Sequence, residues 1–404
     1  FSFENSGTFR VTSESLSSWG AKSQNGGIFR NSGLVEVSGG QTAVGFDLGR
    51  TSTLENTGTI RVTNPTGTAV GIRVAHLASE SSTITNTGLI EANYAIFDAS
   101  ETYSPPQDAI QVVTNFGQIR GQIYLARGAD QIVNVGSIVG SITLGAGDDL
   151  YQGERGTQSG GVYGGFGDDR LLAGTGSDIL YGESGEDILS GASGDDFLGG
   201  GRGSDVLDGG AGTDTAVYSD LTIAVDLDLV GGRSVSAGHD TLISIENVYG
   251  SRWNDSLRGD TAANLLFGAD GADVLIGRDG DDVLIGGTGA DVLTGGIGRD
   301  TFVFGAGDGT DVITDFRLGG ERDTLSIFGY AGYRELRQTS DGALIVLSDT
   351  DTILLQGISA ANVSAADLNF SLATRPSYAV FGPVPAMLGT EPWQVTASEQ
   401  VYAG

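Results

Sequence analysis

Aspartate is the residue whose spacing could do chemistry in this chain. Asp169, Asp178, Asp187, Asp196, Asp205 and Asp214 follow one another nine residues apart. Asp273, Asp282, Asp291 and Asp300 resume the spacing, with Asn264 in the slot before them and Asp149 ahead of both blocks. Each stands sixth in a unit of the form G-G-x-G-x-D-x-(apolar)-x. Glycines at positive φ let the chain wrap tightly with carbonyls turned inwards, beside the carboxylate. Carbonyls and carboxylates together are the hard oxygen donors, about six to eight of them, that calcium takes. Two units make one 18-residue coil, so Asp169 and Asp187 share one edge and Asp178 and Asp196 the other. Calcium is therefore expected at Asp149, Asp169, Asp178, Asp187, Asp196, Asp205, Asp214, Asp273, Asp282, Asp291 and Asp300, several ions per chain. Some units are imperfect: Asn264 removes a charge, Glu183 takes a glycine slot, and Ala173-Gly174 and Gly191-Ala192 lack one of the paired glycines.

Other chemistry is sparse. The two histidines are His76 and His239, and neither H-E-x-x-H nor G-x-S-x-G occurs. The many G-x-G strings lie on the nine-residue beat rather than between a strand and a helix, so they are not nucleotide fingerprints. His76, near Arg73, is the one catalytic candidate in the N-terminal region, and a lone histidine near a strand end is more often structural. No enzymatic activity is expected.

The beat needs elements to carry it. The eighth residue of the units (Leu171, Leu180, Leu189, Leu198, Leu207) is apolar and should point into a stacked roll. Upstream lies a slower repeat, an Asn-x-Gly signal followed by a short strand, at Asn5, Asn31, Asn56, Asn86, Asn115 and Asn134. Steps of 26, 25, 30, 29 and 19 residues suit coils of a parallel β-helix, a β-sandwich of the same strands being the alternative. The asparagines should stack into a ladder that satisfies backbone groups of the next coil. The expected fold is all-β: parallel β-helix at 1–143, first roll at 144–217, bridging β segment at 218–258, second roll at 259–316, β-sandwich-like cap at 317–370, and a tail or assembly arm at 371–404. In the bridge, Tyr249 and Trp253 are expected as packing aromatics.

Composition narrows the setting. Gly contributes 67 of 404 residues and Pro only 7, which points to a repeat rather than a Pro-rich disordered chain. A formal charge of −30 repels nucleic acid and would oppose compaction unless cations bind. Cysteine is absent, which leans towards an extracellular life without disulfides. No apolar run is long enough to span a membrane. The chain opens on Phe1, so either its start has been removed or it is a fragment, and the first repeat has no polar cap before it.

The nonapeptide units resemble those of the RTX (repeats-in-toxin) family, and FGAGDGTDVITDFRLGGERDTLSIFG followed by DTDTILLQGISAANVSAADLNF is similar to serralysin-type C-termini. The resemblance implies a calcium-bound parallel β-roll, a secretion-signal-like region near 317–370, and export by a type I system of a Gram-negative bacterium. Alginate epimerases also resemble this layout, but their catalytic helices are much longer and no Tyr/Asp/His cluster like theirs is visible here. The expectation is a secreted, calcium-dependent structural protein of the cell surface, forming a surface layer, filament or adhesin by self-association into sheets or filaments. The alternative is a non-catalytic, carbohydrate-binding part of an RTX polysaccharide-modifying enzyme or larger adhesin, with cell-surface polysaccharide as partner. A third reading is a small secreted enzyme using His76.

Overall fold

The computed structural model describes residues 2–13, 17–75, 80–99, 109–235, 238–318, 322–364 and 367–373. His76 and the tail beyond Ala373 lie outside the described residues. No helix among the described residues is long and apolar enough to cross a membrane.

Parallel strands stack in register along one axis. The first wall runs through Ser2–Asn5, Gly27–Asn31, Ser52–Asn56, Ser81–Asn86, Ile110–Asn115, Gln131–Asn134 and Leu150–Gln152. Alternation of apolar and polar residues places one side chain of each strand inwards. Phe3, Phe29, Leu54, Ile84, Val113, Ile132, Tyr151, Leu171, Leu189, Leu207 and Leu242 thus form one continuous register column. All but Phe3 are buried. Burying each such side chain contributes roughly 1.5–3 kcal/mol, and no coil could bury its inward face without a neighbour.

The N-terminal coils have three walls. The second holds Thr8–Thr12, Leu34–Ser38 and Thr59–Thr63, and the third Ser18–Ser23, Thr42–Gly49 and Thr68–Ala75. These two walls merge in Leu89–Asp98 and Gln118–Tyr124 and part again as Ser137–Val139 and Ile142–Ala146. The second wall ends at Thr157–Ser159. From Gly161–Phe166 onwards only two walls continue, because a nine-residue unit has room for one short strand and one turn.

Asn5, Asn31, Asn56, Asn86, Asn115 and Asn134 stack as expected. Each Nδ2 but that of the last, Asn134, donates to the Oδ1 of the next asparagine at 2.7–2.9 Å. Each also donates to a carbonyl of the next coil, as Asn31 does to Thr59 at 3.1 Å.

The bridge at 218–258 departs from simple coiling on one wall only. Val206–Asp208 pairs with Thr241–Ile243 in parallel. That strand meets Arg233–Ser234 antiparallel, which meets Asp226–Asp228 antiparallel, and parallel pairing resumes with Ser256–Arg258. The opposite wall passes straight from Thr215–Val217 to Asn247–Tyr249 to Leu265–Gly271. Tyr249 packs edge-on against Phe267 at 4.6 Å, whereas Trp253 is 52 % exposed and is not the packing aromatic its sequence context suggested.

The cap grows out of the same two walls. On one, Thr310–Ile313 pairs with Thr352–Gln356, and the antiparallel strands Gly342–Val346 and Glu335–Gln338 close it. The other ends through Thr324–Phe328 on Leu368–Ser371. One apolar core therefore runs from Ala21 to Leu368.

Candidate metal sites along the turns

The aspartates fall into columns on the two edges of the stack. On one edge the backbone N–H of Asp149 donates to Asp169 Oδ1 at 2.8 Å, Asp169 to Asp187 at 2.7 Å, and Asp187 to Asp205 at 2.9 Å. On the other, Asp178 donates to Asp196 at 2.7 Å and Asp196 to Asp214 at 2.8 Å. After the bridge, Asp273 donates to Asp291 at 2.8 Å and Asp282 to Asp300 at 3.1 Å. All eleven expected positions are buried, with Asp178 the most accessible at 7 %.

One carboxylate oxygen is used by the ladder and the other is not. Oδ2 of Asp149, Asp169, Asp187, Asp196, Asp205, Asp214, Asp273 and Asp282 is buried without a hydrogen-bond donor. The first glycine of the unit makes the room for it: a Cβ on Gly182 would stand 2.2 Å from Asp187 Oδ2, and one on Gly200 would stand 2.2 Å from Asp205 Oδ2. The glycine slots demand left-handed backbone strongly enough that Glu183 and Ala192 adopt it too, at φ 75° and 68°.

Electrostatics mark these oxygens as incomplete. Burial pushes the Asp187 carboxyl up to about 7, against the pull of the Asp169 N–H and with the Asp169 charge adding to the rise. Burial likewise raises Asp169 and Asp273 to about 8, and Asp196 and Asp214 to about 6. A cation beside Oδ2 removes that penalty. No three acidic, histidine or cysteine side chains converge among the described residues, and the further oxygens beside the carboxylates include turn carbonyls, such as that of Gly182 near Asp169. An all-oxygen set of this kind fits calcium.

Two positions differ. Asp300 Oδ2 is met by Arg317 Nη2 at 3.4 Å, so that carboxylate already has a cation. Asn264 keeps the ladder through Asp282, but its Nδ2 donates to the Glu246 carbonyl at 2.8 Å, leaving no free acceptor pointed at an ion.

The columns also hold residues that the nine-residue beat does not reveal. Asp130 precedes Asp149, with its N–H donating to Asp149 Oδ1 at 2.6 Å. Asp240 and Glu246 continue the two edges below Asp205 and Asp214. Asp255 heads the column of Asp273, while Asp311 and Asp323 extend those of Asp291 and Asp300. Asp130, Asp240, Asp255, Asp311 and Asp323 share a shorter signal, an aspartate two residues before a buried apolar side chain: Ile132, Leu242, Leu257, Ile313 and Leu325.

A family model for the RTX calcium-binding nonapeptide repeat matches four times, at residues 163–198, 184–216, 249–284 and 276–311. Among solved structures, the AlgE6R2 subunit of the Azotobacter vinelandii mannuronan C5-epimerase is 33 % identical, covering 31 % of this chain and 93 % of its own, at a TM-score of 0.27. The AlgE6R3 subunit of the same enzyme is 28 % identical, covering 39 % and 93 %, at 0.26. The extracellular lipase LipA of Serratia marcescens is 17 % identical, covering 68 % and 46 %, at 0.27. A search of curated proteins gave no match. RTX nonapeptide repeats bind calcium, the turns of this solenoid carry the oxygen donors for it, and through these repeats the chain belongs to the RTX calcium-binding family.

Proposed function

We propose that this chain is a secreted structural protein of a bacterial surface that folds when it meets extracellular calcium and then assembles into a layer, filament or adhesin. Calcium is held by the Oδ2 atoms of the Asp149–Asp205 and Asp178–Asp214 columns and of their counterparts Asp273, Asp282 and Asp291, with turn carbonyls completing each shell. The carrying observation is the run of buried carboxylate oxygens that no protein donor satisfies. Without an ion they repel one another along the axis, and ordering so much glycine costs backbone entropy. Extracellular calcium modules bind with Kd of about 10⁻⁴–10⁻³ M, so such a roll stays empty at cytosolic calcium and fills outside the cell. Export in an unfolded state is consistent with that arithmetic, and the type I route is what the RTX repeats imply. Assembly is supported by the outer face of the first wall, where Ile28, Ile188 and Val274 are 38–42 % exposed. The assay is electron microscopy of the purified chain in calcium and in EGTA. Sheets or filaments that dissolve in EGTA support the reading, and a monodisperse monomer at every calcium concentration overturns it.

A second reading, carbohydrate binding along the solenoid, has its own observation. Along the third wall Phe97 stacks against Tyr124 and Tyr163 against Tyr181, each pair 5.6 Å apart, with Phe97, Tyr124 and Tyr163 half-buried and Tyr181 buried. Retention on acidic or neutral polysaccharide columns, lost in Tyr163→Ala, would favour it.

A further inference from the structure

The last nonapeptide turn is built like the one above it and is closed differently. Asp282 and Asp300 follow one another on one edge, and both take part in the ladder. The Asp282 N–H donates to Asp300 Oδ1 at 3.1 Å, and the Asp300 N–H donates to Asp323 Oδ1 at 3.1 Å. The first glycine of each unit leaves the same room. A Cβ on Gly277 would stand 2.2 Å from Asp282 Oδ2, and one on Gly295 would stand 2.3 Å from Asp300 Oδ2. Asp282 Oδ2 is buried without a donor. Asp300 Oδ2 instead faces Arg317 Nη2 at 3.4 Å. That same nitrogen donates to the Gly298 carbonyl at 2.7 Å and stands 3.8 Å from Asp323 Oδ1.

One nitrogen thus meets a column carboxylate, a turn carbonyl and the carboxylate of the next coil. These are the kinds of oxygen that calcium takes. The guanidinium is set into the turn rather than laid on it. Its Nε is buried, and the side chains of Asp300 and Asp323 are 0 % and 1 % exposed. The backbone holds it there, because the Arg317 N–H donates to Asp323 Oδ2 at 2.8 Å. Two carboxylates buried in one turn cost several kcal/mol without a cation, and arginine supplies a charge that does not come off. The roll uses a guanidinium on a turn carbonyl a second time. In the turn of Asn264, which lacks a column carboxylate, Arg278 Nη1 donates to the Gly259 carbonyl at 2.7 Å, and Asp228 meets the arginine's charge.

We propose that Arg317 is a built-in counter-ion standing in a calcium position: Asp300, Asp323 and the Gly298 carbonyl form a latent calcium site that opens only when the guanidinium leaves it. The inference rests on calcium binding by the other turns. Its consequence is local. The last nonapeptide coil is tied to the cap by a charge that the chain carries with it, so this junction does not depend on the surrounding calcium, whereas the turns of Asp187 and Asp282 do.

The test uses the full chain and calcium itself. Bound calcium is counted by equilibrium dialysis for the wild type and for Arg317→Ala, which clears the position. The variant is expected to bind one ion more per chain. It is also expected to melt below wild type in EGTA and to regain most of that difference in saturating calcium. An unchanged count overturns the proposal and leaves Arg317 as an ordinary ion pair of the cap. A variant that fails to fold even in saturating calcium overturns it too, because the ion should take over from the guanidinium. Crystals grown with terbium give a second readout. An anomalous peak between Asp300 and Asp323 in Arg317→Ala, missing from wild type, supports the proposal, and a peak there in wild type refutes it. A wild-type chain that binds no calcium at all would instead count against calcium binding by the whole roll.

Discussion

Replacing Asp187 by asparagine separates the two jobs of a column carboxylate. Asp187 Oδ1 accepts the Asp169 N–H at 2.7 Å, and its own N–H donates to Asp205 at 2.9 Å. Asparagine keeps both bonds. Its amide replaces Oδ2, the oxygen with no protein donor. Asn264 shows that the slot accepts an amide, although there Nδ2 turns to the ladder side and meets a carbonyl 18 residues back while Oδ1 accepts the Asp260 N–H. The metal-free fold should therefore hold its stability in Asp187→Asn, or gain slightly from losing a buried charge. Calcium reverses the sign. At about 10 mM calcium and Kd of about 10⁻⁴–10⁻³ M, each filled site contributes roughly 1.4–2.7 kcal/mol. Asp187 lies between Asp169 and Asp205 and borders a turn on each side, so roughly 3–5 kcal/mol is at stake. For a cooperative unit of this size that is a fall of roughly 5–15 °C in melting temperature. The assay is a pair of thermal melts followed by circular dichroism, one in calcium and one in EGTA. Equal destabilisation in both would refute the reasoning, because it would make the carboxylate a ladder residue and nothing more.

Three further outcomes follow from the same geometry. Gly200→Ala places a Cβ 2.2 Å from Asp205 Oδ2 and should weaken calcium-dependent stability by about 2–3 kcal/mol, whereas Gly176→Ala meets nothing within 4 Å and should cost only the strain of φ 118°, about 1 kcal/mol; calcium-titrated melts distinguish them. Asn264→Asp sets a carboxylate oxygen against the Glu246 carbonyl now 2.8 Å from Nδ2, and should lower stability in EGTA by about 1–3 kcal/mol and restore it in calcium, read as a larger calcium-induced shift than wild type. Column carboxyls raised to about 6–8 in the metal-free fold bind protons that the unfolded chain releases near 4, so acid favours that fold, and the gain is lost as pH rises from about 4 to 8. In EGTA the β signal should thus grow as pH falls from 8 to 5, while the calcium midpoint rises over the same interval because protons compete for Oδ2.

The nine-residue beat was legible because each unit must satisfy three demands at once: room for Oδ2, left-handed turns and an inward leucine. Where one demand relaxes, the beat fades while the column continues. Asp130 has Leu125 in the first slot instead of glycine, and Asp240 lies 35 residues after Asp205 because a hairpin is inserted. The fourth-slot glycine (Gly128, Gly238), the aspartate and the apolar side chain two residues on remain there, too short a signal to stand out in a chain with this much Gly, Asp and Leu. The asparagine ladder was legible for the opposite reason, since its turn tolerates only Asn-x-Gly. Trp253 was misjudged because its neighbours Tyr249 and Asp255 follow the coil while its own side chain projects from a turn. The pairing of Asp300 with Arg317 depends on a side chain folding back from the cap, which no local pattern encodes.

The reversal of strand direction in the bridge has a mechanical consequence. One wall carries parallel hydrogen bonds from Thr215–Val217 onward without interruption, while the other is relayed through Arg233–Ser234, a strand only two residues long. The Asp205 column ends there on Asp240, and a new one opens at Asp255 beneath Val225. Beyond the relay, the paired contact of Arg278 with both oxygens of Asp228, at 2.7 Å each, ties Asp226–Asp228 to the coils that follow. Under tension along the axis, such a rod has one stiff side and one side that parts first. It should bend towards its intact wall and yield at this crease, leaving two calcium-loaded stubs rather than unravelling from an end.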